Sequence, residues 1–269
     1  MPNSYAVLGS TGNCGSALIR NLLDHHPQSQ INAYCRSEAK LQRIVPEVIG
    51  HKKVKVFEGS INDNTLMENC IRGTKAVFLA VTSNDNIPGV RLNTDTAIVV
   101  IRTLYRLRDQ AVPGTYTPPK LVLLSACCFD EHLGRTQSKW FRPIMLRAAA
   151  NVYSDLQRAE DVMRSHDHWI KSIYIKPAGL SPDIARGHRL TFDDQESFVS
   201  YMDLAGGMIE AADDHEGRYD GRSVGVVNKI PGKGAKVPFD TPFLISMGFI
   251  RYLFPFLHPY LPESTLGKW

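Results

Sequence analysis

The chain has 269 residues, 43% hydrophobic and 22% charged, a make-up that fits a globular α/β protein with a sizeable core rather than a disordered or fibrous one. Its net charge of +4 comes from scattered basic residues, the longest run being His51-Lys52-Lys53, which gives nucleic-acid binding little support. The five cysteines form no CxxC pair and read as reduced thiols of a cytoplasmic protein; an immediate strand argues against a signal peptide.

The first apolar run, 5–9, predicts a buried strand and leads directly into "GSTGNCG", residues 9–15. Gly9, Gly12 and Gly15 have the G-x-x-G-x-x-G spacing at a strand-to-helix turn, before a helix expected over 14–24. One glycine makes the turn, another lets backbone approach a pyrophosphate, and a third lets helix and strand pack closely. Backbone N–H groups of the loop and helix start (Thr11, Asn13 and Cys14 with the glycines) would then hold phosphates.

A second strand, 31–35, ends at Arg36 and Ser37, where an NAD-binding chain would carry an acidic residue for the ribose. A guanidinium offers a donor fork to a 2′-phosphate, so NADP is the expected cofactor. After a helix over 38–46 and a strand over 54–59, Asp63 stands either at the adenine edge or as the N-cap of a helix over 64–72. The fourth strand, 76–81, delivers Ala80, Val81 and Thr82 to the wall of the cofactor site.

A long helix over 90–109 and a turn-rich loop precede the fifth strand, 121–126, near whose end Ser125 reaches the ligand crevice of such sheets. His132, on the loop beyond, is a candidate acid or base. One helix is expected over 144–165, then a strand over 170–177, a helix over 198–213 and a strand over 223–228. The alternation implies a doubly wound parallel sheet, an NADP-binding Rossmann fold, in a single domain over 1–269. Residues 1–177 form its dinucleotide-binding core, and 178–269 a small C-terminal substrate-side elaboration. The aromatic tail, including Phe243, Phe249, Tyr252, Phe254, Phe256 and Tyr260, is interrupted by Arg251, Pro255, His258 and Pro259, which argues against a membrane span. It is expected to wall an apolar substrate or to form a homodimer contact. "SHDHW" (165–169) has no companion ligands in the pattern, and no metal site is expected.

These residues together resemble the atypical short-chain dehydrogenase/reductase group, in its NmrA-like and biliverdin-reductase-B-like branch. The quoted glycine loop, Arg36, "LLSACCFDEH" (123–132) and "AEDVMRSHDHWIKSIYIKPAGL" (159–180) carry the resemblance. Size and tail are similar to fungal averufin-oxidase-like enzymes that tailor aromatic polyketides. The resemblance implies substrate over the carboxyl ends of the strands and Ser125 as a polar contact. Tyr153 stands where conventional members carry the tyrosine of a Tyr-x-x-x-Lys pair, but Gln157 holds the lysine's place. In a second register Ser154 and Arg158 take the two places. Without that lysine the phenol keeps a pKa of about 10 and serves as a hydrogen-bond donor more than a base.

The function expected is an NADP(H)-dependent oxidoreductase acting on a small aromatic or polycyclic secondary metabolite, with Ser125, Tyr153 and His132 as candidate catalytic residues. Two other readings stay open. One is a redox-neutral cyclase or isomerase that retains NADP(H); the other is an NADP-sensing regulator of the NmrA-like kind.

Overall fold

The computed structural model describes residues 3–196 and 198–262. Along the chain run β1 Ser4–Leu8, α1 Asn13–His25, β2 Gln30–Cys35, α2 Glu38–Ile44, β3 Val54–Glu58, α3 Asn64–Ile71, β4 Ala76–Leu79, α4 Leu92–Gln110 and β5 Lys120–Leu124. There follow α5 Phe141–Ala148, α6 Ala150–Arg164, β6 Ser172–Ile175, β7 Leu180–Ser181, β8 His188–Thr191, β9 Val199–Ser200, α7 Tyr201–Asp213, β10 Ser223–Asn228 and α8 Thr241–Leu253.

Eight strands form one sheet in the order β3-β2-β1-β4-β5-β6-β10-β8, parallel except for β8, which runs against β10. Side-chain alternation divides the core between its two faces. Tyr5 and Val7 of β1 join the cluster under α1 and α7, while Ala6 and Leu8 join the one under α3, α4 and α6. The order reverses between β1, which pairs β2, and β4. At such a reversal the carboxyl ends of the strands leave a crevice.

The helix expected over 144–165 is two helices. The fragment "RAAAN" contains no helix breaker, yet Ala149 leaves helical geometry at φ −121°, ψ 21°. Asn86, buried on the loop after β4, causes the break. Its Oδ1 accepts the Asn151 N–H at 2.8 Å, and its Nδ2 lies 3.4 Å from the Arg147 carbonyl. Those two backbone groups would have bonded each other in an unbroken helix, so the amide side chain is spliced into the ladder.

Part of the aromatic tail is the regular helix α8. Gly248 of α8 lies so close to the Ala148 carbonyl that a Cβ would come within 2.1 Å of that oxygen, and the Gly248 carbonyl accepts from Asn86 Nδ2 at 3.1 Å. Arg251, 1% exposed, points inward: it donates to the Pro262 carbonyl at 2.7 Å and sits 3.5 Å from Asp85. The aromatic rings Phe254, Phe256 and Tyr260 stay exposed.

Candidate active site

The glycine loop is fixed by backbone contact. Gly9 has φ +87°, and a Cβ on it would come within 2.6 Å of the Ala80 carbonyl oxygen; a Cβ on Gly15 would come within 2.2 Å of the Gly9 oxygen. The ends of β1 and β4 therefore touch at the turn, where Ala80 stands beside Gly9. Gly12 caps α1 without a side-chain hydrogen bond, and no acidic residue occupies the first turn. Ser16 N–H closes onto the Gly12 carbonyl at 2.8 Å. The amides of Cys14 and Gly15 precede that bond at the positive end of the helix. This surface suits a pyrophosphate: it has backbone donors at a helix start whose first turn carries no carboxylate. Burial pushes the Cys14 thiol up to about 12, so it stays protonated at neutral pH. Val81 and Thr82 follow at the partly open rim.

At the end of β2, Arg36 is exposed and has no ion pair among the described residues. Ser37 caps α2, its Oγ accepting Lys40 N–H at 3.2 Å. Asp63 caps α3 by accepting Leu66 N–H at 2.9 Å, so of its two expected uses the structural one is filled.

At the ends of β5 and β6 stands a buried charge network. Ser125 Oγ donates to Glu160 Oε1 at 2.6 Å. The Lys176 ammonium, 3% exposed, lies 2.9 Å from that same Glu160 oxygen and 2.9 Å from Asp130 Oδ2. Arg164 approaches the other Glu160 oxygen at 3.4 Å. Burial works against the Asp130 carboxylate, but the Leu133 N–H, Lys176 and Ser223 outweigh it and hold that group below the usual carboxylate range. Two carboxylates flanking one ammonium is an arrangement that tolerates burial only with these hydrogen bonds complete.

Sequence reasoning passed over Glu160, Lys176 and Asp130 as chemical groups. A signal was present: a lysine closing an apolar strand run is buried, and buried charge demands partners. Glu160 likewise shares the inward face of α6 with Leu156, Ala159 and Met163.

The candidate residues divide. Tyr153 packs against Phe129, ring centroids 5.7 Å apart, with its hydroxyl in hydrogen-bonding reach of the Cys128 thiol. The Lys176 ammonium sits 4.7 Å above the same Phe129 ring, so Tyr153 and the Ser125 network share one neighbour. Burial first, and the Cys128 thiol second, hold the Tyr153 phenol well above its ordinary pKa; it is a neutral donor at physiological pH. Gln157 is exposed on α6. In the second register, Arg158 donates to Ser154 Oγ at 2.8 Å and to the Val90 carbonyl at 3.0 Å. His132 borders the network through Asp130, whose Oδ1 accepts the His132 N–H at 3.0 Å; its Nε2 is 3.0 Å from Asp193, and with Asp130 it lines a cavity of about 490 Å³ that neither Ser125 nor Tyr153 lines.

With that geometry set out, comparison with known proteins is informative. Residues 9–215 match the family described as NAD(P)H-binding. Oxidoreductase dmxR7 of Cryptosporiopsis sp. is 58% identical over 83% of this chain and 93% of its own length. Oxidoreductase GME11367 of Pestalotiopsis microspora is 51% identical over 97% and 98%, and oxidoreductase aflX of Aspergillus parasiticus is 39% identical over 98% and 97%. A short-chain dehydrogenase/reductase of Veillonella parvula, solved in complex with NADP, superposes with a TM-score of 0.61 over 89% of this chain and 100% of its own, at 19% identity. That likeness speaks to the fold.

Proposed function

Because the chain belongs to the NAD(P)H-binding family and is an oxidoreductase of the fungal secondary-metabolite type, we propose that it uses NADP(H) to reduce or oxidise a small aromatic or polycyclic metabolite. The observation that carries this reading is the close-packed turn of Gly9, Gly12 and Gly15 at the start of α1, with Arg36 beyond it. Gly9, Thr11, Gly12, Asn13, Cys14 and Gly15 would hold the pyrophosphate. Arg36 and Ser37 would hold the 2′-phosphate, Asp63 would border the adenine, and Ala80 to Thr82 would flank the ribose and nicotinamide. When bound, the cofactor supplies the hydride or accepts it.

The chain's own residues bind and orient the substrate. Ser125 has one proton, and Glu160 takes it; toward a ligand the hydroxyl therefore accepts. It suits a substrate phenol or alcohol better than a bare carbonyl. Tyr153 supplies the complementary donor, since a thiol is a weak acceptor that a substrate oxygen displaces readily. The pair selects an oxygenated ring that presents both a hydroxyl and a carbonyl.

Titration of the protein with NADPH and NADH tests the cofactor half. NADPH is expected to bind more tightly, and Arg36→Ala to weaken NADPH by about 10- to 100-fold, as loss of a charge-assisted bond does, with NADH little changed. Equal binding of both cofactors, or an indifferent Arg36→Ala, overturns it. Nicotinamide absorbance followed with hydroxyanthraquinones tests the redox half. Product formed without a matching absorbance change would favour a redox-neutral cyclase or isomerase.

A further inference from the structure

Arg142, in the first turn of α5, and Tyr153, in the first turn of α6, reach the same residue of the loop after β5. Arg142 Nε donates to the Cys128 carbonyl at 2.9 Å, and its Nη2 lies 3.4 Å from the Asp130 carbonyl. Gly134 makes room for that seat, since a Cβ there would come within 3.1 Å of Arg142 Nε. The Cys128 sulfur in turn accepts the Tyr153 hydroxyl. Arg142 stays partly exposed, and backbone carbonyls are its hydrogen-bond partners among the described residues. Neighbouring charges are already matched: Lys176 lies between Asp130 and Glu160, and Arg251 of α8 faces Asp85. Arg142 therefore brings beside Cys128 a positive charge that no carboxylate pairs with among the described residues, and a cation held only by neutral carbonyls keeps its attraction for an anion.

The thiol reports the local field. Burial pushes the Cys128 thiol up, while the Tyr153 hydroxyl and the Arg142 charge act in the opposite sense. Two groups from two helices thus favour negative charge at one spot, and sulfur is a weak acceptor there. We propose that Arg142 and Tyr153 form a receptor for an anionic oxygen, an ionised phenol of the aromatic substrate, which displaces the thiol and takes both donors. The proposal rests on the reading that Tyr153 meets the substrate, and it names the charge that the substrate brings. Conjugation spreads the charge of such a phenol onto a ring carbonyl, so the receptor serves the hydroxyl-and-carbonyl pattern already inferred. It also answers Gln157: the positive charge that a lysine would supply from α6 comes from α5 instead. Arg142 acts on the substrate oxygen, and Tyr153 remains a neutral donor.

Titration of the full-length, NADP⁺-saturated protein with alizarin, a dihydroxyanthraquinone whose visible absorption shifts when it ionises, tests this without turnover. Bound alizarin is expected to ionise about one pH unit or more below the free dye. Alizarin dimethyl ether, which has no phenol to ionise, should bind about tenfold more weakly. Arg142→Gln is expected to return the ionisation to within about half a unit of the free dye, and Arg142→Lys, which keeps the charge, to retain most of the shift. An arginine that only braced the loop would not separate those two variants. Tyr153→Phe should weaken alizarin by about tenfold, as loss of a hydrogen bond to a charged group does. Thermal unfolding and NADP⁺ affinity are expected to stay unchanged in both Arg142 variants, so failure of the cofactor reading shows there and not in the dye. Absence of alizarin binding, an ionisation unmoved or raised on binding, equal binding of the ether, or a shift that survives Arg142→Gln overturns the inference.

Discussion

The glycine loop at the end of β1 and the charge network at the ends of β5 and β6 sit along the same edge of the sheet, yet they are specified in opposite ways. The loop is written in seven consecutive residues and held by backbone approach: Gly9 meets Ala80, and Gly15 meets Gly9. The network is assembled from Ser125, Asp130, Glu160 and Lys176, drawn from two strands, a loop and a helix. One site tolerates no added atom; the other tolerates no missing charge.

That contrast predicts different failures, and the largest should fall on the network. Lys176→Met removes the ammonium and leaves two carboxylates facing each other in a buried site. Breaking such a pair costs about 3–5 kcal/mol, measurable as lowered stability in urea. Adding Glu160→Gln removes one of the stranded charges and should recover part of the loss. A cost under about 1 kcal/mol for Lys176→Met would place the network in the regime of solvated ion pairs and erase the distinction.

A smaller stability loss with a sharper functional one is expected at the loop. Gly15→Ala forces a Cβ within 2.2 Å of the Gly9 oxygen, and overpacking of this kind costs about 1–3 kcal/mol. The shift needed to relieve it moves the amides proposed to hold phosphate. NADPH affinity should therefore collapse while the fold persists, and calorimetric titration of the folded variant reads both. Near-native NADPH binding by Gly15→Ala would separate the cradle from the cofactor.

The same contrast explains what the sequence disclosed. Gly9, Gly12, Gly15, Ser37 and Asp63 are local signals, since turn geometry and helix caps act within a few residues. The doubly wound parallel sheet followed from alternating apolar runs. By contrast, Asn86 breaks the helix between Arg147 and Asn151 from sixty residues away, where the alanines themselves favour helix. Asp155 is equally non-local: it lies on α6 and caps α4 in trans, taking the Asn93 and Thr94 amides at 2.8 and 3.1 Å. The setting of Ser125 was half legible. Its position at the end of β5 followed from the apolar run, but the partner that takes its proton required the packed helix.

Acid should set the glycine loop apart from a third region, the approach to α8, with the gentlest effect of the three. Asp183, on the segment between β7 and β8, receives the Lys236 N–H at 2.9 Å, the Ile184 N–H and the Arg186 guanidinium. The Lys236 bond first, then the other two, hold its pKa down to about 2. A carboxylate depressed in the folded state stabilises it fully above the unfolded pKa of about 3.9, and that contribution fades as pH falls from there through about 2. Since the Lys236 bond ties the approach to α8 onto the rest of the molecule, that approach should lose hydrogen-exchange protection between about pH 4 and 2. The glycine loop and the first turn of α1 hold no carboxylate and should keep theirs over the same interval. Asp183→Asn should be less protected than wild type at neutral pH and converge on it below about pH 2. Equal loss of protection at the glycine loop would mean that the two regions open together, and that the approach to α8 is no separate unit of stability.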